Sequence, residues 1–293
     1  MRQRLISAAA LVPVVVIVFV AGHPWLAFGI TALSAVAGFE TAQLVRRVGL
    51  QANTALAVVA PPLAVVGFLY AAVPSGNWAF QTDAWLFIAP AMALWVMATV
   101  VVSLRNADQR SAFLGWVGTL FAGLYPSLLA FAAGIGVLGY IIVPSDNLSE
   151  MFGGGRLWLI VLVLTVWSLD SAAYVVGRYM PRGRFMNHIS PKKTWSGAVG
   201  GTVAAVAVCT LLASVVLSVS PIIGALTGLL IAVAAQAGDL AESMLKRAAG
   251  AKDSGTLIPG HGGILDRVDS FLFAAPVTYA WLLVLMLNGQ AVW

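Results

Sequence analysis

Apolar stretches of about 20 residues, the length that crosses the hydrocarbon of a bilayer as a helix, recur along the whole chain with short polar segments between them. The pattern predicts nine spans, near Leu5–Ala21, Trp25–Phe39, Gln51–Val73, Ala84–Leu104, Phe113–Val143, Leu157–Gly177, Gly197–Val219, Ile222–Gln236 and Phe271–Leu287. The expected fold is an all-α, polytopic integral membrane protein of about nine transmembrane helices. The fifth run is too long for one straight span. Pro126 and the glycines from Gly115 to Gly139 predict a kink or a re-entrant piece there. No repeat with a period of 20–50 residues is visible, which argues against an inverted-repeat transporter.

The charges between the runs give the orientation. With the N-terminus inside, 15 of the 16 lysines and arginines fall in inner segments and only Arg156 falls outside. This positive-inside bias places the N-terminus in the cytosol and the C-terminus outside. The start, Met1 to Arg4 followed by Leu5–Val20, also fits a signal peptide, but no small-x-small site follows, so an uncleaved anchor is expected. At 60% hydrophobic and 9% charged residues, the 293-residue chain is no water-soluble enzyme. Its one cysteine, Cys209, lies inside an apolar run, which excludes a disulfide-stapled module. The net charge of +5 could suggest a nucleic-acid partner. The basic residues sit between membrane runs, however, where orientation and lipid headgroups account for them, so no nucleic acid is expected. Of the 27 charges, 15 lie between Ser168 and Ser270. Residues 1–156 therefore read as a lipid-facing scaffold bundle, and residues 157–293 as the catalytic region with its loops in the cytosol.

Asp170 is a carboxylate inside the sixth span, about two helical turns from its inner end. Such a charge is costly in hydrocarbon and implies a functional cavity or a structural ion pair. Tyr174 and Gly177 follow it on the same face, with Arg178 at the mouth. Arg178, Arg182 and Arg184 read equally as a phosphate-binding patch or as contacts to anionic lipid. Lys192 and Lys193, with Ser190, Thr194 and Ser196, precede a helix start, where lysines beside helix amides suit a phosphate. Gly197 and Gly201, four residues apart, favour close helix packing.

The sharpest stretch runs from Gln236 to Asp269. Gln236, Asp239, Ser243 and Lys246 recur at helical spacing on one face, and Gly250 offers that helix a stop. The segment 250–263 is rich in glycine, which permits inward-pointing amides around an anion. Asp266 and Asp269 then share a face of the first turn of the last helix. Arg247, Lys252 and Arg267 lie beside these acids, and His261, between glycines, is placed to touch phosphate. Oxygen ligands of this kind suit Mg²⁺ together with substrate phosphates, and a zinc site is not expected. Gly134–Gly139 fits a dinucleotide pattern, but no strand precedes it. The sequon at Asn147, and His23 and His188, carry no argument.

The run from Ser243 through Lys246 and Arg247 to KDSGTLIPGHGGILDRVD at 252–269 resembles the C-terminal signature of the phosphatidate cytidylyltransferases, the CDP-diacylglycerol synthases. The stretches from Asp170 to Arg178 and from Ser190 to Trp195 are similar to that family too, although Ser196 stands where the family's pattern has an acid. The resemblance covers the last 125 or so residues strongly, and the first half only in its multi-span character. It implies transfer of CMP from CTP to phosphatidic acid with release of pyrophosphate, Mg²⁺ as cofactor with a second cation left open, and a homodimer in a bacterial inner membrane among membrane lipids. It further implies Asp239, Asp266 and Asp269 as metal ligands and, with Lys246, as the catalytic set. Asp170, Lys192, Lys193, Ser243, Arg247, Lys252, His261, Gly262, Gly263 and Arg267 would bind substrate. Two alternatives stay open: a CTP-dependent kinase or nucleotidyltransferase acting on another lipid, and a cation-coupled transporter using the aspartates as an ion path.

Overall fold

A computed structural model describes residues 13, 15–22, 24–71, 82–142, 154–258, 260 and 262–287. The expected span at 5–21 lies mostly outside them; residues 15–21 are helical. The helices that follow are α1 (Trp25–Arg47), α2 (Thr54–Ala71), α3 (Thr82–Ser103), α4 (Gln109–Ser127), α5 (Ala130–Ile142), α6 (Gly154–Tyr179), α7 (Trp195–Val216), α8 (Pro221–Ala248) and α9 (Leu265–Leu287). Among the described residues there is no strand, only two isolated bridges. The fold is all-helical, as the hydrophobic pattern requires.

Among the described residues, six segments are long and apolar enough to cross a bilayer: Trp25–Arg47, Gln109–Gly136, Gly155–Tyr179, Trp195–Val216, Pro221–Ala248 and Leu265–Leu287. Thr54–Leu69 and Ala89–Ser103 are apolar but shorter. The long fifth run breaks after Ser127, one residue past Pro126, into α4 and α5. A proline in a helix withholds one hydrogen bond and crowds the preceding turn. Large apolar side chains such as Phe28, Leu94, Leu211 and Ile222 stand exposed, as an integral membrane protein requires of its lipid-facing surface.

The chain falls into two compact units, one of residues 1–134 with Leu245–Val268 and one of Ile135–Met244 with Asp269–Trp293. In the first, α1, α2 and α4 pack around Ala42, Val45, Ala52, Ala57 and Ala122, with Leu50 and Leu245 against them. Small residues let the helices approach where hydrocarbon supplies no hydrophobic drive. A Cβ at Gly38 would stand 2.7 Å from the Ala57 carbonyl oxygen. Polar ties fix the register: Trp95 Nε1 donates to the Leu56 carbonyl at 2.8 Å, and the Asn53 side chain caps α2 by accepting from Leu56 N. Asp108 caps α4 by accepting from Ser111 N at 2.8 Å, and these bonds from Ser111 hold its carboxyl below the usual carboxylate range.

In the second unit α6 lies along α7. Cβ atoms at Gly197 and Gly201 would come within 2.8 Å of the Ala173 and Leu169 carbonyls, so these glycines mark close packing. Gln236 Nε2 on α8 donates to Thr202 Oγ1 at 2.9 Å, and Trp281 Nε1 on α9 donates to Thr227 Oγ1 at 2.8 Å.

Candidate active site

Each unit builds its own polar centre. In the second unit α8 carries Asp239 and Ser243 one turn apart, and Ser243 Oγ donates to Asp239 Oδ1 at 3.3 Å. Lys193, just before α7, pairs with Asp239 Oδ2 at 2.7 Å, and both side chains stay partly open at 26% and 32% exposure. A Cβ at Gly238 would lie 2.6 Å from the Asp269 carbonyl, so the α8 turn bearing Asp239 touches the first turns of α9 at half-buried Asp269. Asp269 Oδ1 accepts from Ser270 N at 2.7 Å.

The basic segment before α7 is folded rather than loose. Phe185 N donates to the Lys193 carbonyl, and the Phe185 and Trp195 rings meet edge to face at 4.5 Å. Thr194 caps α7 by accepting from Gly197 N at 3.0 Å, while Trp195 N and Ser196 N donate to the Gly183 and Arg182 carbonyls. The first-turn amides expected to cradle phosphate thus already have acceptors within the chain. What this end of α7 offers an anion is the lysines. Ser196, in the position where the resemblance has an acid, donates to the Met180 carbonyl at 2.6 Å and accepts from Arg182 N at 3.1 Å. Lys192, Arg182 and Arg184 are exposed. Asp170 is exposed on α6, and Arg178 donates to Tyr174 Oη at 2.6 Å.

The first unit's centre begins where α8 stops. Gly250 takes φ +63°, Ala251 N bonds back to the Lys246 carbonyl at 2.8 Å and Gly250 N to that of Arg247 at 3.1 Å. This glycine-terminated cap ends the helix as the sequence predicts and fixes the backbone that carries Lys246. Lys246 Nζ donates to Asp266 Oδ1 at 2.6 Å, with side-chain exposures of only 13% and 6%. Asp266 Oδ2 accepts from Ser254 N and Gly263 N, each at 2.8 Å, and lies 2.9 Å from Ser254 Oγ.

A second carboxylate completes this centre, and it comes from α1. Glu40, 4% exposed, accepts from Ile264 N at 3.1 Å and Leu265 N at 2.8 Å, and lies 2.9 Å from Ser254 Oγ. Asp266 N donates to Ser254 Oγ at 3.3 Å and Arg267 N to the Ile264 carbonyl. Each backbone N–H from Gly263 to Arg267 therefore has an acceptor. The glycine segment does wrap its amides around anions, as expected, but the anions are Asp266 and Glu40. Gly263 gives its N–H to Asp266, and Gly262, at φ +83°, accepts from Ile258 N. Arg247, Lys252 and Arg267 are exposed around this core, while His261 lies outside the described residues.

Among the described residues no three of His, Cys, Asp and Glu gather as a ready metal cage. Asp239 and Asp266 are each engaged by a lysine instead. Each aspartate by itself is a hard oxygen donor of the kind a divalent cation takes together with water and phosphate.

A sequence profile described as the cytidylyltransferase family matches residues 2–285. The chain belongs to the cytidylyltransferase family. Proteins named phosphatidate cytidylyltransferase are similar to it: one from Brucella suis at 44% identity over 155 residues, covering 53% of this chain and 56% of that protein. One from Synechocystis is 46% identical over 138 residues, 47% of each chain. One from Bacillus subtilis is 40% identical over 146 residues, 50% of this chain and 53% of its own. The chain thus spans about half the length of these relatives in the matched region.

Proposed function

We propose that this family member transfers the cytidylyl group of CTP to phosphatidic acid, giving CDP-diacylglycerol and pyrophosphate. The observation that carries the proposal is the pair of lysine–aspartate bridges, Lys193 with Asp239 and Lys246 with Asp266. Asp239, Ser243 and Lys246 also follow one another at spacings of four and three along α8, on one stripe of that helix. A polyphosphate is a stronger acceptor for an ammonium group than a carboxylate that can turn to a cation. Opening each bridge in this way leaves no charge without a partner. The names of the three relatives point to the same substrates.

In this reading a phosphate oxygen of the lipid forms a bond to the α-phosphorus of CTP. The bond from that phosphorus to the β-phosphate oxygen breaks, and pyrophosphate leaves with its electron pair. No side chain needs to act as a nucleophile, because phosphoryl chemistry asks mainly for positioning and charge neutralisation. Lys193 and Lys246 neutralise phosphate oxygens, with Lys192, Arg247, Lys252 and Arg267 around them. Ser243 contacts phosphate or cation, and Asp170 serves the lipid phosphate. Asp239 and Asp266 would each serve as a ligand for Mg²⁺, with Asp269 as a further one. When bound, the ion offsets the triphosphate charge and polarises the phosphorus under attack.

In this reading the chain sits in a bacterial inner membrane with nine spans, its N-terminus and polar loops in the cytosol and its C-terminus outside, and acts as a homodimer. The diacyl tails stay in lipid while CTP arrives from water. The test is direct. Purified protein in detergent, given CTP, Mg²⁺ and phosphatidate, should release pyrophosphate and form CDP-diacylglycerol without any gradient. Phosphorylated lipid with CDP would mark a kinase instead, and no turnover would refute the proposal.

A further inference from the structure

Glu40 lies in the half of the chain whose composition reads as scaffold, yet its carboxylate is buried against the segment that positions Asp266. Its two oxygens accept from Ile264 N and Leu265 N, the N–H groups that open α9 and that a helix start otherwise leaves without partners. A negative charge at this end of a helix is favourable, and a buried one is kept only when it is well satisfied. The surrounding glycines are shaped to it. A Cβ at Gly255 would run into Glu40 Oε1, and a Cβ at Gly263 would run into both Glu40 oxygens and Ser254 Oγ. The glycines that suggested a cradle for a substrate anion therefore make room for a carboxylate of α1.

Ser254 links this anchor to the aspartate. Its hydroxyl stands 2.9 Å from Glu40 Oε2 and 2.9 Å from Asp266 Oδ2, and it has one hydrogen to give. Only one carboxylate is served at a time, while the two backbone bonds hold Glu40 whichever way the hydroxyl turns. Asp266 follows Leu265 directly, so the atoms that fix Leu265 fix the aspartate.

We propose that Glu40 is a positioning residue for the reaction: it locks the start of α9 and the Ser254 hydroxyl so that Asp266 presents Oδ1 to Lys246 and to the cation that replaces it. This role rests on the proposed cytidylyl transfer, but the lock itself can be tested without turnover. Glu40→Gln keeps the size of the side chain and replaces one acceptor with an NH₂ group facing other donors. Hydrogen exchange of the protein in detergent should then show the Ile264 and Leu265 amides exchanging at least about tenfold faster, with α6 and α7 unchanged. In the CTP and phosphatidate assay, kcat should fall about tenfold or more and the Mg²⁺ concentration for half-maximal rate should rise. Ser254→Ala keeps both backbone bonds, so it should leave exchange at Leu265 near wild type while raising the Mg²⁺ requirement. Unchanged exchange in Glu40→Gln overturns the lock. Faster exchange with wild-type kcat and Mg²⁺ response overturns the positioning role. A wild type that releases no pyrophosphate refutes the cytidylyl-transfer reading, and exchange at Ile264 and Leu265 still decides for or against the lock.

Discussion

Replacing Asp266 and Asp239 one at a time by asparagine separates structural cost from chemical cost, because the two bridges differ in burial. Asp266 and Lys246 are 6% and 13% exposed, and Asp239 and Lys193 are 32% and 26% exposed. Breaking one side of a buried pair leaves an uncompensated charge and costs roughly 3–5 kcal/mol, whereas exposed pairs contribute roughly 0.2–1 kcal/mol. The amide at 266 cannot be seated well either way. With its oxygen toward Lys246 the NH₂ group faces two backbone donors, Ser254 N and Gly263 N, and with the NH₂ group turned round it faces an ammonium ion. Asp266→Asn should therefore destabilise the folded protein by about 2–4 kcal/mol more than Asp239→Asn. In the proposed mechanism each removes a carboxylate that would hold the cation set against the phosphate charge, so both should lose turnover by about a hundredfold or more. The assay is thermal unfolding in one detergent, followed by size-exclusion chromatography, beside pyrophosphate release below each midpoint. Equal midpoints for the two variants would refute the burial argument. A near-normal rate in either would refute its place in the chemistry.

Lys246→Ala should raise the CTP concentration needed for half-maximal rate by about tenfold with lipid partitioning unchanged, and unaltered CTP dependence would remove Lys246 from phosphate binding. Gly263→Ala should fail to yield stable protein, because the added methyl meets Ser254 Oγ and the Glu40 carboxylate; a wild-type melting curve would contradict that packing. Ser196→Ala loses the bonds to the Met180 carbonyl and from Arg182 N, so trypsin should cut faster at Arg182 and Arg184, and an unchanged digest would show that the hydroxyl does not hold the segment. Asp108, whose carboxyl sits below its ordinary pKa, contributes stability that is present above the unfolded-state value and lost as acid titrates it through the folded one. Asp108→Ala should lower the melting midpoint at neutral pH and flatten its decline in acid, and parallel curves would rule the cap out.

What the sequence made legible, and what it did not, divides along one physical line. Burial periodicity and helix signals act locally, and they are readable: the break beside Pro126, the stop at Gly250 and the stripe of Asp239, Ser243 and Lys246 all sit where the pattern puts them. Span ends are less legible because a charge ends an apolar run without ending a helix. α1 runs on to Arg47 past the expected end at Phe39, whereas α8 reaching Ala248 and α9 starting at Leu265 follow the polar stripe to Gly250 and the opening of the last helix at Asp266. That error hid Glu40. Ending the second span at Phe39 left the next residue to read as the first of a polar loop, although Ala37, Thr41, Ala42, Leu44 and Val45 keep the buried face going around it. The reasoning that singled out Asp170, an acid inside an apolar helix, applied equally to Glu40. The partners 214 to 225 residues away could not be read from spacing. The composition of 250–263 correctly announced amides turned toward an anion, but composition does not say whether that anion is a ligand or the chain's own carboxylate. Only the tertiary hydrogen bonds decide that, and they assign the amides to Asp266 and Glu40.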